Sequence, residues 1–383
     1  MNPFDLNLRH LRALVAVAQT GTVAAAAVRI AVSQPALTQA IAKIERQLDT
    51  ALFIRRSIGM ETTEALAVLV PRIEAALGLI ASSRVTAAQV RALIAVADAG
   101  SYAGASAATG LAQPSLHRCV GDLSIALRRV LVIREGKGIK LTDAGRRTAR
   151  AFRLAQAELE AGLAELAALA GRENGRIAIG AMPLSRARVL PKAVARFHRA
   201  HPQMRLAIVE GSYAELVEPL RDGALDMLVG ALRDTPEPDL DQRPLFVDRP
   251  VVIARKGHPL EGKPVVIDAL AAFPWIVAAE GTPLRQQWQA IFSGAGLVVP
   301  DVPIESGSVI AIRQILRETE FLTILSPDQV AVELAAGLLI VLCETPPALC
   351  RTIGVTTRSG WRPTALQRVF LTTLDAAAHN GLQ

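Results

Sequence analysis

A shift of 79 residues lays the first part of this chain over itself without a gap. Leu11-Arg12-Ala13-Leu14-Val15-Ala16-Val17-Ala18 returns as Val90-Arg91-Ala92-Leu93-Ile94-Ala95-Val96-Ala97. Gly21 returns as Gly100, Gln34-Pro35 as Gln113-Pro114, Ile54-Arg55 as Ile133-Arg134, and Thr63 and Ala65 as Thr142 and Ala144. The buried stripe repeats as well: Leu116, Val120, Leu123 and Leu127 replace Leu37, Ile41, Ile44 and Leu48. An internal repeat constrains a fold more than composition does, because one arrangement has to close its apolar faces twice.

Each copy reads as the same set of parts. A first helix, about 8–20 or 87–99, runs to Gly21 or Gly100, a helix-stop glycine. A short helix of small residues follows, Val23 to Arg29 in copy one, with Ile30 to Val32 as a tight connection. The third helix opens on Ser33, an N-cap oxygen, with Pro35 in the first turn where a missing N–H costs nothing. Its stripe faces inward, and Gln34, Thr38, Gln39, Lys43 and Arg46 face outward, as side chains that meet phosphates or base edges. In copy two that face carries Gln113, Pro114, Ser115, His117 and Arg118. This layout is a helix-turn-helix. An ordinary surface helix would explain one copy but not two.

After the third helix a β segment, Ala51 to Arg55 or Val130 to Arg134, enters a basic, glycine-containing turn and returns. Such a hairpin is a wing, with Arg55 and Arg56 in copy one and Arg134, Lys137 and Lys140 in copy two placed for phosphate or minor-groove contact. A long helix closes each copy, about 63–82 and 142–170. The second has Leu154, Leu159, Leu163, Leu166 and Leu169 among alternating charges, the pattern of a dimerising helix. Packing within the chain is the alternative.

Charge is segregated. Residues 1–171 hold 20 Lys and Arg against 13 Asp and Glu, while residues 172–383 hold 22 of each. The whole excess of +7 therefore sits on the duplicated half, which calls for a polyanionic partner. No stretch of ~20 apolar residues is free of charge, and Met1 to His10 lacks the apolar segment of a signal peptide, so a cytoplasmic protein is expected. The three cysteines, Cys119, Cys343 and Cys350, include no CxxC and are expected as thiols, with a Cys343–Cys350 pair as the alternative. Six scattered histidines give no metal-ligand spacing, and no cofactor is implied.

Both copies resemble the winged helix-turn-helix of LysR-type transcriptional regulators. The resemblance rests on Leu11-Arg12, Ala16-Val17-Ala18, Gly21, Ala26-Ala27, Val32-Ser33-Gln34-Pro35-Ala36-Leu37-Thr38, Ile41, Ile44-Glu45, Leu48, Leu52-Phe53 and Arg55, and on Leu141-Thr142-Asp143-Ala144-Gly145 in copy two. The usual family member has one such domain, and this chain resembles a variant with two in tandem. The copies diverge in complementary ways. Copy one keeps the capped third helix, has Gln39 where the family commonly places Arg, and has a degraded linker start, Thr62-Thr63-Glu64-Ala65-Leu66. Copy two keeps Arg118, the wing and the linker start, but has Ala112 at the cap and Asp122 in place of Lys43. A carboxylate there repels phosphate, so copy one is expected to be the stronger base reader.

After Gly171-Arg172-Glu173-Asn174-Gly175, a polar hinge, the period changes. Strands at Arg176–Ala181, Met204–Glu210 and Ala224–Val229 alternate with helices at Arg186–His201 and Tyr213–Asp222, which predicts a parallel sheet with helices on its faces. A second unit spans about 250–345, with strands at Pro250–Ala254, Trp275–Ala278 and Leu322–Leu325 and helices at Thr282–Phe292 and 309–318; the tail, Cys350–Val355 and Thr364–Ala378, returns to the first. Two lobes with two crossings is the architecture of periplasmic-type binding proteins. The resemblance to the LysR family implies the same for its effector domain, and it is carried there by Arg188-Val189-Leu190-Pro191, Leu220-Arg221-Asp222-Gly223-Ala224-Leu225-Asp226 and Gly257-His258-Pro259-Leu260.

The expected architecture is therefore α-rich tandem winged helix-turn-helix domains plus an α/β two-lobed periplasmic-binding-protein-like (type 2) effector domain. The domains are 1–82, 83–171 and 172–383, with lobe I at about 176–249 and 346–383 and lobe II at about 250–345. Ligands in such sheets bind beyond the carboxyl ends of strands and against helix N-termini. The candidate effector site is Met182, Pro183, Ser185, Gly211, Ser212, Thr282, Arg285, Ser306 and Ser308. Each hydroxyl is also readable as a plain N-cap, Arg285 as a surface ion-pair partner, and Trp275 as core.

The expected function is a sequence-specific DNA-binding transcriptional regulator, modulated by a small-molecule effector between the lobes. Its partners are double-stranded promoter or operator DNA, the effector, a homo-oligomer (dimer or tetramer) and, by the resemblance, RNA polymerase. A solute-binding protein of a transport system and a non-specific DNA-architectural protein are the alternatives. An enzyme lacks support: there is no Ser/His/Asp elbow and no GxxxxGK phosphate loop.

Overall fold

The computed structural model describes residues 2–57, 59–136, 138–172 and 175–379. Lys137, expected in the wing, and Glu173 and Asn174, the centre of the expected hinge, lie outside the described residues. The chain forms two compact units, one of Met1–Arg176 with Gln203–Arg205 and Arg221–Ala224, the other of the remaining residues.

In the first unit a 3-10 turn, Pro3–Asp5, precedes α1 (Leu8–Thr20), α2 (Val23–Arg29), α3 (Gln34–Leu48), the hairpin β1 (Phe53–Arg56) and β2 (Gly59–Thr62), and α4 (Glu64–Ile80). The series then repeats as α5 (Ala87–Ala99), α6 (Tyr102–Thr109), α7 (Gln113–Leu127), the hairpin β3 (Val132–Glu135) and β4 (Gly138–Leu141), and α8 (Asp143–Leu169). Local chemistry fixes the boundaries. Asn7 and Thr86 cap α1 and α5, Thr22 and Ser101 cap α2 and α6, and Gly21 and Gly100 end the first helix of each copy in the left-handed region at φ 72° and 64°. The two stripes do not make two cores. Phe4, Leu14, Leu37 and Ile44 of copy one belong to the same buried cluster as Leu93, Leu116, Leu123 and Phe152 of copy two.

The second unit has β5 (Arg176–Ala181), α9 (Val189–Ala200), β6 (Arg205–Glu210), α10 (Tyr213–Arg221), β7 (Met227–Ala231) and β8 (Leu240–Asp248). It continues through β9 (Val251–Arg255), α11 (Ile267–Ala271), β10 (Ile276–Val277), α12 (Pro283–Gly294), β11 (Ile304–Glu305), α13 (Val309–Glu318), β12 (Thr323–Leu325), α14 (Ala331–Ala335) and β13 (Leu339–Glu344), and ends on β14 (Arg351–Arg358) and α15 (Ala365–His379). The five-stranded sheet has the order β6-β5-β7-β14-β8, and the three-stranded sheet the order β12-β9-β13.

The parallel pairing expected of the first strands is present between β5 and β7, and antiparallel pairs are added around it. β5 and β7 are parallel, but β14 is antiparallel to both β7 and β8, and β9 is antiparallel to both of its neighbours. The cause is topological. β8 carries the chain out of the first sheet and β14 carries it back, so the two must run in opposite directions. The sequence reading missed β8 because Pro244 interrupts it. Pro244 stands opposite Gly354 at a register shift, where a Cβ on residue 354 would meet the Arg243 carbonyl oxygen at 2.3 Å. Trp275 is 1% exposed and packs against Trp288 at 5.4 Å, a core residue. All three cysteines are free thiols. Among the described residues no helix is long and apolar enough to cross a membrane, and no cluster of three or more His, Cys, Asp or Glu is able to hold a metal ion.

Candidate functional site

The third helix of each copy is the feature the repeat was built around. In α3 the Ser33 hydroxyl accepts the Ala36 N–H at 3.4 Å. Gln34, Pro35, Gln39, Lys43 and Arg46 are exposed. Thr38 is half-buried, and its hydroxyl donates to the Gln34 carbonyl at 3.0 Å. It therefore presents lone pairs and a methyl group outward rather than a free donor. Glu45, which the sequence reading left without a role, reaches from α3 to the wing: one carboxylate oxygen accepts the N–H of Leu52 at 2.8 Å and of Phe53 at 3.3 Å. In that wing Arg55 is exposed, and Arg56 pairs with Glu61 at 2.7 Å.

In α7, Gln113, Pro114, Ser115, His117 and Arg118 are likewise exposed, but Ala112 provides no side-chain cap. The His117 ring lies 5.1 Å from that of Tyr102. Arg118 Nε lies 3.8 Å from Asp122, so the carboxylate offsets that cation as well as opposing phosphate. In this wing Arg134 is exposed and Lys140 pairs with Glu135 at 2.8 Å. Ser124 replaces the bracing glutamate and donates to its own helix at Val120.

The linker start of copy one differs from the degraded one expected. The Thr63 hydroxyl accepts the Leu66 N–H and donates to the Ala51 and Leu52 carbonyls, as that of Thr142 does with Gly145, Val130 and Leu131. The threonine alone keeps the junction. Three of the five leucines of α8 are used within the chain. Leu159 and Leu166 are buried and Leu163 half-buried in the cluster shared with α4, while Leu169 is left exposed.

That packing contains a group the sequence reading passed over. Arg72, in α4, is 5% exposed and lies 3.1 Å from Glu158 and 2.9 Å from Glu165, both of α8. Burial acts against its charge, and the hydrogen bonds to the two glutamates more than offset this, leaving its pKa above the ordinary value. The available signal was a charged residue between Leu69 and Ile73 on an apolar stripe.

In the second unit, β10 and β11 are parallel neighbours, and the Ser306 N–H donates to the Val277 carbonyl at 2.9 Å. Their carboxyl ends therefore lie side by side. Beyond them Thr282 caps α12, Ser308 caps α13, and the Ser306 hydroxyl accepts the Ser308 N–H at 3.1 Å. Arg285 is 7% exposed, lies over the Trp288 ring at 5.0 Å and comes within 3.6 Å of Glu305. Among the described residues its Nε and Nη1 have no hydrogen-bond partner. It is neither a surface ion-pair residue nor a satisfied core residue.

At β5 and β6 the Gly211 N–H reaches the Ala181 carbonyl at 3.4 Å, which brings the loops at Met182–Ser185 and Gly211–Ser212 together. Pro183 is exposed, but Met182 is buried across Gly230, and Ser185 is 1% exposed with its hydroxyl donated to the Met182 carbonyl at 2.9 Å. Ser185 is not a helix cap, because α9 begins after Arg188. Ser212 holds Glu215 at 2.8 Å. Arg188 pairs with Asp328 at 2.8 Å, a tie between the 176–248 and 251–344 segments that the sequence did not announce.

A family model described as "LysR substrate binding domain" matches residues 170–378. Another, "Bacterial regulatory helix-turn-helix protein, lysR family", matches at 8–65 and again at 87–146. The chain belongs to the LysR family of transcriptional regulators. This LysR-family chain is 31% identical to the HTH-type transcriptional regulator GalR of Pseudomonas putida, over 92% of its own length and 93% of that protein's. Among solved structures it resembles ArgP from Mycobacterium tuberculosis, with a TM-score of 0.60 at 20% identity over 76% of this chain and 96% of that one. It also resembles full-length LysG from Corynebacterium glutamicum with bound effector Arg, with a TM-score of 0.56 at 22% identity over 77% and 98%. At these identities the two structures establish the fold alone.

Proposed function

We propose that this LysR-family regulator carries two winged helix-turn-helix heads in tandem, one ending with α4 and the other with α8. Copy one, through Gln34, Thr38, Gln39, Lys43 and Arg55, is the principal reader of operator DNA. Copy two contributes Gln113, His117, Arg118 and Arg134, more through phosphates than through bases. The observation that carries this is the contrast between a capped, cation-bearing α3 and an uncapped α7 whose Arg118 lies against Asp122. The double match of the helix-turn-helix model supports the tandem reading. So does the coverage of the solved relatives, which are spanned nearly end to end while about a quarter of this chain is left over.

A small-molecule effector binds between the two lobes of 176–379, against the helix starts at Thr282 and Ser308 and the unsatisfied guanidinium of Arg285. Its binding biases two arrangements of an oligomer on DNA in the cytoplasm. Footprinting with the full-length protein tests the division of labour. Gln34→Ala with Thr38→Ala is expected to weaken sequence-specific protection at least about 10-fold, and Arg118→Ala to weaken binding across all sequences. Intact binding in the first variant, with loss in the second, reverses the ranking.

A further inference from the structure

The two heads are not beads on a string. The connection between α4 and α5 is only Ala81–Thr86, and Val85 within it is buried in the shared core. α4 packs along α8, with Arg72 of one copy between Glu158 and Glu165 of the other. The approach is close enough that a Cβ added at Gly162 would meet the Arg72 Cβ at 3.1 Å and Leu69 Cδ2 at 3.2 Å. At the chain start Phe4 is 2% exposed, and Asp5 reaches Arg91 of α5 at 2.9 Å. Arg12 of α1 donates to the Ser82 carbonyl at 2.6 Å, which fastens the connection itself. These contacts span different elements, so the orientation of α3 relative to α7 is set by a packed interior and not by a tether.

The two faces held in this way are unlike. Gln39 of α3 corresponds to Arg118 of α7, Lys43 to Asp122, and the capping Ser33 to Ala112. A pair of identical readers suits a palindrome. A locked pair of different readers suits two different sequences at one spacing. We infer that a single chain is a two-headed reader of asymmetric double-stranded DNA, with α3 and α7 of the same molecule on two unlike half-sites at a fixed separation. This rests on the tandem-head reading above. A flexible tether would instead tolerate a range of separations.

The test uses the full-length protein and changes the DNA first, so that folding is not in question. Sites are selected from a randomised duplex library. The preferred site is then altered in three ways: the first half duplicated as a palindrome, the second half duplicated as a palindrome, and five base pairs inserted between the halves. The selected site is expected to contain two unlike halves at one spacing. Each palindrome should bind at least about 10-fold more weakly, since several base pairs of one half become mismatched. The insertion should cost as much, because half a helical turn moves one half to the opposite face of the duplex. Gln34→Ala with Gln39→Ala should relax one half only, and Gln113→Ala, with the phosphate-contacting Arg118 left in place, the other. Selection of identical inverted halves within the footprint of one chain, equal affinity for either duplicated site, or α7 substitutions that relax neither half would overturn the inference while leaving the regulator reading in place. Selection that yields no sequence at all would remove the DNA-reading proposal itself, and this one with it.

Discussion

Copies one and two of the head share a layout and differ in what holds it together. Both third helices begin Gln-Pro, and both end on a non-glycine residue in the left-handed region, Asp49 at φ 50° and Arg128 at φ 53°. Copy one adds a side-chain cap at Ser33 and a glutamate brace from Glu45 to the wing, and copy two has neither. In the turn before the third helix the economy is reversed: copy two uses Gly110 at φ 71°, whereas copy one forces Ala31 to φ 54°. Each copy lacks a support that the other has, and the two lean on each other through α4 and α8. The side-chain cap and the brace to the wing are in copy one. The charged, longer closing helix is in copy two.

The interface between the copies is the place to break this comparison most severely. Arg72→Ala removes the cation and leaves Glu158 and Glu165 near one another at a largely buried site. Breaking a buried pair from one side typically costs about 3–5 kcal/mol. The calorimetric transition of the first unit should fall accordingly, in copy two as well as copy one. A loss confined to copy one, read by hydrogen exchange in α1–α3 against α5–α7, would contradict a shared core.

A smaller difference lies within the third helices. Glu45→Ala strips two N–H groups of a charged acceptor, which is worth about 1.5–3 kcal/mol, and should loosen exchange at Leu52 and Phe53. Ser124→Ala, at the equivalent place, removes only a bond back to its own helix and should shift stability by less than ~0.5 kcal/mol. Equal effects would mean that the brace does not distinguish the copies.

The turn gives an exchange of smaller size and opposite sign. Ala31→Gly relieves a left-handed alanine, partly offset by the greater freedom of glycine in the unfolded chain, for a gain of up to about 1 kcal/mol. Gly110→Ala should lose about as much. Among the described residues nothing lies within 4 Å of a Cβ added at Gly110, so the effect is backbone strain set against unfolded-state entropy, with no clash. Denaturation midpoints of the two variants should move in opposite directions.

What was legible in the sequence was what is local. Ser33, Gly21, Thr142 and the apolar spacing of Leu37, Ile41, Ile44 and Leu48 announce caps, stops and faces because each acts on residues a turn away. The leucines of α8 announced only that something apolar covers them. That the cover is α4 of the same chain depends on contacts across 86 and 93 positions, such as Arg72 with Glu158 and with Glu165. The same limit explains the sheets. β8 contains Pro244 and pairs with β14 about a hundred residues later, which no local pattern encodes. In the effector region the helix starts at Thr282 and Ser308 were readable. Ser185 was misread, because whether a hydroxyl is spent on a carbonyl three residues back depends on the turn's geometry, not on residue type.

The finest distinction between the copies is electrostatic. His10 in α1 of copy one is replaced by Gln89 in copy two. Its Nδ1 is buried, with no hydrogen-bond partner among the described residues. Burial first, and then the positive charge of Lys43, hold its pKa below the ordinary 6.5. As pH falls, the unfolded chain therefore takes up this proton before the folded one does. The contribution of His10 to stability is complete above 6.5 and is lost as pH drops from there through the lowered folded value. His10→Gln, which gives copy one the residue of copy two, should remove that dependence. The difference in unfolding midpoint between the variant and the parent protein, followed from about pH 8 to about pH 5 at constant ionic strength, should shift in favour of the variant toward acid. A difference that stays constant with pH would show that His10 titrates alike in both states.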